Sequence, residues 1–196
     1  MRQIIRVLVA ALVLAVPALA SAQMDKWMAH PDFSRGVDAY DNDEYEEAVK
    51  YFSNELASYP DNGYAQLYLG SIYFESDMTG EAISCLTKAK AAIPANDKEY
   101  RSAAIGVLGK AYLAAGDSLQ AIQCYNEALK LAPDNARMIK ARAEYYSDRE
   151  EYSLAEADLQ KLGRLLPGDP YAWFARGVIA LAKDSGYGLV VDDWNR

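Results

Sequence analysis

Few residues in this 196-residue sequence have the types and spacing that catalysis or metal binding requires. His30 is the only histidine, so a Ser–His pair, a Cys–His pair or a multi-histidine metal site would have to depend on it. We expect His30 to be an exposed bystander. The sequence carries no glycine-rich phosphate loop and no nucleophile motif. These observations argue against an enzyme, and predict no cofactor and no metal; a hydrolase would need a convergent set of titratable residues that the sequence does not provide.

The acidic stretch Asp41–Glu47 resembles a calcium loop only at first sight. An EF-hand loop needs glycine at its sixth position and glutamate at its twelfth. Counted from Asp41, these positions hold Glu46 and Phe52. We therefore interpret the stretch as an acidic turn that opens a helix, because carboxylates interact favourably with the amino-terminal end of a helix dipole.

Four prolines reveal a period in the sequence. Pro94 follows Pro60 at the same interval as Pro167 follows Pro133, and the interval from Pro94 to Pro133 is longer by five. A fixed period of roughly 20–50 residues indicates a repeat architecture. The five extra residues, about 97–101, should lengthen either a turn or the helix that follows.

The same residue types recur within each period. Small residues that allow two helices to approach closely stand at two fixed distances before each proline: Gly36, Gly70, Gly109 and Ala143, then Ala48, Ala82, Ala121 and Ala155. Ala48, Phe52 and Glu55 are spaced i, i+4 and i+7, which is one face of a helix. Each proline lacks an amide hydrogen and so marks the end of this second helix. Asn62 and Asn135 then supply caps for the next helix.

This pattern resembles the tetratricopeptide repeat, a helix–turn–helix unit of about 34 residues. The third copy is the most similar and carries Leu108-Gly109, Tyr112, Ala121, Tyr125 and Pro133. The resemblance covers units at about 29–62, 63–96, 102–135 and 136–169, and a partial fifth at 170–185. It implies an all-α fold, a right-handed superhelical solenoid over residues 23–185, with 186–196 as an incomplete second helix or tail.

The two cysteines occupy equivalent positions in neighbouring units. Cys85 and Cys124 each stand nine positions before a proline, Pro94 or Pro133. Equivalent atoms in stacked helix pairs should be roughly 10–20 Å apart, because one helix intervenes and helices pack at about 8–10 Å. A disulfide requires Cα atoms within about 7 Å. We therefore expect two free thiols.

Residues 1–22 have the features of a signal peptide. Arg2 and Arg6 give a positive start, Ile4–Ala15 is otherwise apolar, and Ala20-Ser21-Ala22 fits the A-x-A cleavage pattern. The apolar run is short for a membrane helix, which needs roughly 20 apolar residues. We expect cleavage after Ala22 and export, to the periplasm if the source has an outer membrane and otherwise to the medium.

The charge of the chain excludes some partners. The formal net charge is −8, and loss of Arg2 and Arg6 would make the chain more acidic. Nucleic acids and anionic membrane surfaces attract Lys-rich and Arg-rich proteins. We therefore expect no nucleic acid partner and no membrane insertion after cleavage.

In the family that the sequence resembles, the first helix of each unit lines a concave face that holds extended segments of other proteins. The matching positions are Phe33, Val37, Tyr40, Tyr64, Leu67, Ser71, Phe74, Lys110, Leu113, Arg137, Lys140 and Glu144. The implied groove is aromatic at one end and basic at the other, which favours an acidic partner segment. The alternative for each apolar residue is that it packs on neighbouring helices.

The leading hypothesis is a non-enzymatic exported scaffold that binds a peptide segment in this groove. The alternative is a structural or assembly subunit of a cell-envelope complex that docks through its end faces. The end of the chain bears on both, because its short last segment cannot bury all of its apolar residues: Leu189, Val190, Val191 and Trp194. We expect a loosely held end; the alternatives are folding back on Trp173 and Phe174, or association with a partner or a second copy.

Overall fold

The computed structural model describes residues 22–184, and all of its regular elements are helices. The helices are α1 (Ala22–Met28), α2 (Pro31–Asp41), α3 (Tyr45–Ser58), α4 (Gly63–Glu75), α5 (Thr79–Ala92), α6 (Lys98–Ala114), α7 (Ser118–Leu131), α8 (Ala136–Asp148), α9 (Tyr152–Leu165) and α10 (Tyr171–Asp184). The predicted helical chain from about Met28 to Lys183 is confirmed. The chain forms two compact units, one that ends at Leu131 and one that begins at Ala132.

Two predicted segments lie mostly or wholly outside the described residues. The cleavable segment 1–22 overlaps them only at Ala22, where α1 begins, and the tail 186–196 follows the last described helix. Within residues 22–184, no helix is both long enough and apolar enough to cross a membrane.

Proline and asparagine set the helix boundaries. Pro60 and Pro94 each follow the end of a second helix, α3 or α5, by two residues. The Asn62 side chain then caps α4 by accepting hydrogen bonds from the amides of Tyr64 and Ala65, at 3.1 and 3.2 Å. Such capping satisfies amides that have no partner within the helix. The period read from the sequence therefore corresponds to the start and end of helix pairs.

The five extra residues of the third period lengthen a helix. α6 begins at Lys98 and has 17 residues, whereas α4 has 13. Asp97 caps α6 by accepting from the amide of Tyr100, and its other oxygen accepts a 2.6 Å hydrogen bond from Tyr64 Oη. Burial, followed by the Asp97 charge, raises the pKa of Tyr100 to about 12.

The glycines of the first helices allow close packing within each pair. A Cβ built on Gly70 would lie 2.7 Å from Leu86 Cγ, and one built on Gly109 would lie 2.8 Å from Tyr125 Cε1. Contacts this short do not occur between real side chains, so replacing either glycine with a larger residue would push the two helices of the pair apart. The cysteines lie beside these glycines: Cys85 is half-buried, Cys124 is buried, and both are free. Burial raises the pKa of both thiols, which makes them poor nucleophiles.

The expectation that His30 is an exposed bystander is wrong. Its Nδ1 lies 3.0 Å from Glu55 Oε1, and its ring lies 4.3 Å from that of Tyr59. Glu55 is only 2% exposed and also accepts a 2.9 Å hydrogen bond from Asn62 Nδ2. Glu55 is also where the first repeat departs from the others, which carry a neutral residue at this position: Ala89, Ala128 and Leu162. His30, the only histidine in the chain, therefore pairs with Glu55, the one carboxylate found at this core position of the repeat.

We expect His30→Ala to destabilise the first unit by about 2 kcal/mol, because it removes a partner from a buried carboxylate. The measurement is the urea midpoint of unfolding. The control adds Glu55→Ala, which installs the residue found at this position in two other repeats. The double variant should be more stable than His30→Ala alone; an equal or lower midpoint would contradict the pairing.

Candidate peptide-binding face

Six of the residues predicted to line the groove lie in the core of the first unit, each at most 8% exposed: Phe33, Val37, Tyr40, Tyr64, Leu67 and Ser71. The ring centroids of Phe33 and Tyr40 lie 6.1 and 5.0 Å from that of Tyr68, whose ring stacks on Phe52. Tyr64 is held by its hydrogen bond to Asp97. These side chains pack on neighbouring helices, which is the alternative that the sequence left open, and none of them offers a surface to a ligand.

Three predicted groove residues of the first unit are accessible. Phe74 and Lys110 are half-buried, and Leu113 is 40% exposed. Lys110 lies close enough to Glu75 to lower the pKa of its carboxyl, although burial dominates and raises that pKa overall. Phe74 belongs to α4, and Lys110 and Leu113 belong to α6.

The structure brings two of the three predicted residues of the second unit together around a tyrosine of α10. Lys140 Nζ lies 3.8 Å from the centroid of the Tyr171 ring. Tyr171 Oη donates a 2.9 Å hydrogen bond to Glu144 Oε1. Arg137 is half-buried one turn earlier on α8. The ammonium group is thus held above an aromatic ring, a favourable arrangement for a cation.

The hydroxyl of Tyr171 donates its hydrogen bond to the carboxylate of Glu144. Burial raises the pKa of Tyr171 well above its ordinary value, and the Glu144 carboxylate raises it further. Tyr171 therefore contacts both residues of α8, Lys140 through its ring and Glu144 through its hydroxyl.

An apolar strip on α10 was missed by the sequence analysis. Phe174, Val178 and Leu181 are 58%, 48% and 38% exposed. Their spacing of i, i+4 and i+7 places them on one side of α10, and Phe174 and Val178 follow Tyr171 at i+3 and i+7. A signal for them existed in the sequence, because Phe174 and Val178 lie one repeat period after Lys140 and Glu144.

We call the surface of Lys140, Glu144, Tyr171, Phe174, Val178 and Leu181 the α8–α10 face. It combines an ammonium group that lies over the Tyr171 ring with exposed apolar side chains, which suits an extended segment that carries both apolar and acidic residues. Across residues 22–184, no group of three or more His, Cys, Asp or Glu side chains could hold a metal ion.

Comparison with known proteins agrees with this architecture. Profiles of the tetratricopeptide repeat family match residues 61–134 and 107–170, which together exceed half of the chain. The crystal structure of MamA resembles this chain with a TM-score of 0.71 and 20% identity, over 84% of this chain and 86% of MamA.

Two further solved structures share the fold. YrrB, described as a TPR protein with an unusual peptide-binding site, has a TM-score of 0.69 and 17% identity, over 88% of this chain and 86% of its own. The APC/C hetero-tetramer Cut9–Hcn1 has a TM-score of 0.70 and 21% identity, over 76% of this chain and 29% of that one. Since the family profiles and the repeated helix pairs agree, the chain belongs to the tetratricopeptide repeat family, whose members are generally non-enzymatic scaffolds that bind other proteins.

Proposed function

We propose that this protein is a non-enzymatic scaffold that binds an extended peptide segment of another protein on the α8–α10 face. The observation that carries the proposal is the exposure of Phe174, Val178 and Leu181 along one side of α10. Fully burying one such side chain contributes about 1.5–3 kcal/mol, so three of them would supply part of the roughly 8 kcal/mol that a micromolar complex requires, and polar contacts would supply the rest.

We infer that the preferred segment is acidic as well as apolar. Lys140 contacts the ring of Tyr171 beside the apolar strip. Arg137 precedes Lys140 by about one turn and lies on the same side of α8. The face also contains Glu144, but this carboxylate already accepts the Tyr171 hydroxyl. A carboxylate on the ligand would therefore meet Lys140 with little reorganisation of the site.

Selection from a random peptide library on the immobilised protein tests the proposal. We expect enriched sequences to combine aromatic or aliphatic residues with Asp or Glu. The same selection on Phe174→Asp should not enrich these sequences, since a carboxylate placed in the strip repels acidic ligands and disfavours apolar contact. Enrichment of basic or purely polar sequences, or equal recovery on both proteins, would contradict the proposal.

We further propose that the chain is exported. The support is the Arg2 and Arg6 start, the apolar run after it and the Ala20-Ser21-Ala22 pattern. Mass spectrometry of the amino terminus in fractionated cells tests this. A mature chain that begins at Gln23 in the exported fraction is the expected result, and an intact start at Met1 in the cytoplasm would overturn it.

A further inference from the structure

The helices α2 and α4 both end in a carboxylate. Asp41 is the last residue of α2, and Glu75, one repeat period later, is the last residue of α4. Neither helix carries Lys or Arg in its last turn, whereas α5 has Lys90 there. The carboxyl-terminal end of a helix dipole is negative, so a carboxylate there is unfavourable and a cation is favourable. A positively charged ligand would therefore stabilise both helix ends.

A buried hydroxyl without a partner lies near both helix ends. Tyr40 is 1% exposed, and its Oη has no hydrogen-bond partner among residues 22–184. Burial raises the pKa of Tyr40. Neighbouring acidic groups raise this pKa further: Tyr45, Glu75, Asp41 and Asp43. A buried hydroxyl that lacks a partner is costly, so a carboxylate drawn toward Oη would satisfy it.

The carboxylates around this hydroxyl are accessible. The ring centroid of Tyr40 lies 5.7 Å from that of Tyr45, whose hydroxyl donates a 2.8 Å hydrogen bond to Asp43 Oδ1. Asp41 and Glu75 are exposed, so a ligand can reach both. We call Tyr40, Asp41, Asp43 and Glu75 the tyrosine–acid cluster.

The tyrosine–acid cluster is short of positive charge. Residues 38–47 contain six Asp and Glu and no Lys or Arg. Burial raises the pKa of Glu75, although Lys110 on α6 lowers it in part. Burial, followed by the charge of Asp38, raises the pKa of Asp41. Both carboxylates are thus less well stabilised than they would be in water, and a further cation beside them would be favourable.

We propose that the tyrosine–acid cluster binds a lysine or arginine side chain of a basic segment in a partner protein. The N–H groups of the ligand donate to the carboxylates of Asp41 and Glu75, and such charge-assisted hydrogen bonds are strong. The cation offsets the repulsion between the two carboxylates, so that one of them can approach Tyr40 Oη and accept its hydrogen bond.

The ligand is a protein segment and not a small free amine. The carboxylates are open to solvent and cannot enclose a small molecule. Proteins of the tetratricopeptide repeat family bind other proteins. The cluster lies wholly within the first unit, so this site does not depend on the α8–α10 face, and it prefers the opposite charge.

Amide resonances of the isotope-labelled full chain test the proposal, in titrations with the capped peptides Gly-Lys-Gly and Gly-Arg-Gly. We expect the amides of residues 41–43 and 75–77 to shift, and a capped Gly-Gln-Gly peptide to leave them in place. Resonances that shift with neither cationic peptide would overturn the proposal. Tighter binding of the free diamine cadaverine than of these peptides would also overturn it, since the site would then not be one for a protein segment.

Tyr40→Phe isolates the hydroxyl, because it keeps the ring and the net charge. It should weaken the binding of Gly-Lys-Gly at least threefold. It should leave the urea midpoint of unfolding unchanged or raised, since it removes an unpaired buried group. A lower midpoint would show that the hydroxyl already has a partner in the free protein, and an unchanged Kd would show that it does not support the bound state; either result would overturn the proposal.

The fourth repeat supplies a matched control for charge. Asp148 ends α8 at the position of Asp41, and Glu150 follows it in the turn, within the second unit. Asp41→Asn combined with Glu75→Gln should weaken the binding of Gly-Lys-Gly at least fivefold. The same loss of charge in the second unit, Asp148→Asn with Glu150→Gln, should change it less than twofold. Equal losses in the two double variants would mean that the net charge of the chain attracts the peptide, and would overturn the site.

Discussion

Replacing Arg142 with alanine should destabilise the second unit by about 3 kcal/mol, a larger effect than we expect for His30→Ala. Its guanidinium holds Asp158 through two hydrogen bonds of 2.7 Å, and Asp158 is only 6% exposed. The hydrogen bonds raise the pKa of Arg142 above its already high value although burial opposes this, so the group is always charged. Its removal leaves a buried carboxylate without a counterion.

The repeat itself supplies the control for this variant. Arg142→Leu combined with Asp158→Cys installs the residues that two earlier repeats carry at these positions, Leu69 with Cys85 and Leu108 with Cys124. Replacing both partners of a buried ion pair by apolar residues is often neutral. Urea denaturation should therefore show a low midpoint for Arg142→Ala and near-original stability for the double variant. Equal losses of stability in Arg142→Ala and in the double variant would mean that Arg142 and Asp158 stabilise the unit through packing and not through charge.

Phe174→Asp should weaken the binding of a library-selected acidic peptide by at least tenfold, the largest functional effect that we expect. Phe174 is the most exposed member of the apolar strip, at 58%, so it can be replaced without disturbing the core. The loss of its contact area removes about 1.5 kcal/mol or more, and the new carboxylate repels an acidic ligand. Fluorescence anisotropy of the labelled peptide measures the change in Kd.

Leu119→Asp is the matched control, because Leu119 is also exposed, at 66%, but lies on a second helix, α7. It should leave the Kd unchanged. Lys140→Glu should weaken binding as well, and by a larger factor at low salt, since exposed charges are screened beyond about 10 Å at 0.1 M. Equal losses in the Phe174 and Leu119 variants would indicate non-specific adsorption of the peptide.

Local pattern was sufficient to predict the fold. Helices α3 and α5 end two residues before Pro60 and Pro94, and Asn62 caps α4, because proline geometry and capping act over a few residues. The hydrogen bond of Tyr64 could not be foreseen, because its acceptor, Asp97, is 33 residues away. The pairing of His30 with Glu55 could not be predicted from the sequence either, because 25 residues separate the two positions.

The candidate site was only partly predictable. The repeat predicted Lys140 and Glu144 as site residues, but it did not predict their contacts with Tyr171. The ring of Tyr171 contacts Lys140, and its hydroxyl donates a hydrogen bond to Glu144. Phe174 and Val178 were within reach of the sequence, since they continue the same period into α10. Position in the repeat shows which residues are equivalent, and only packing decides which of them remain exposed.

Methyl resonance mapping tests the central claim most directly. Titration of the library-selected peptide into protein with labelled Leu and Val methyl groups should shift Val178 and Leu181, the exposed aliphatic residues of the α8–α10 face. The buried Leu86 and Leu159 should stay in place. Shifts that are confined to Leu113 in the first unit, with Val178 and Leu181 unmoved, would contradict the account.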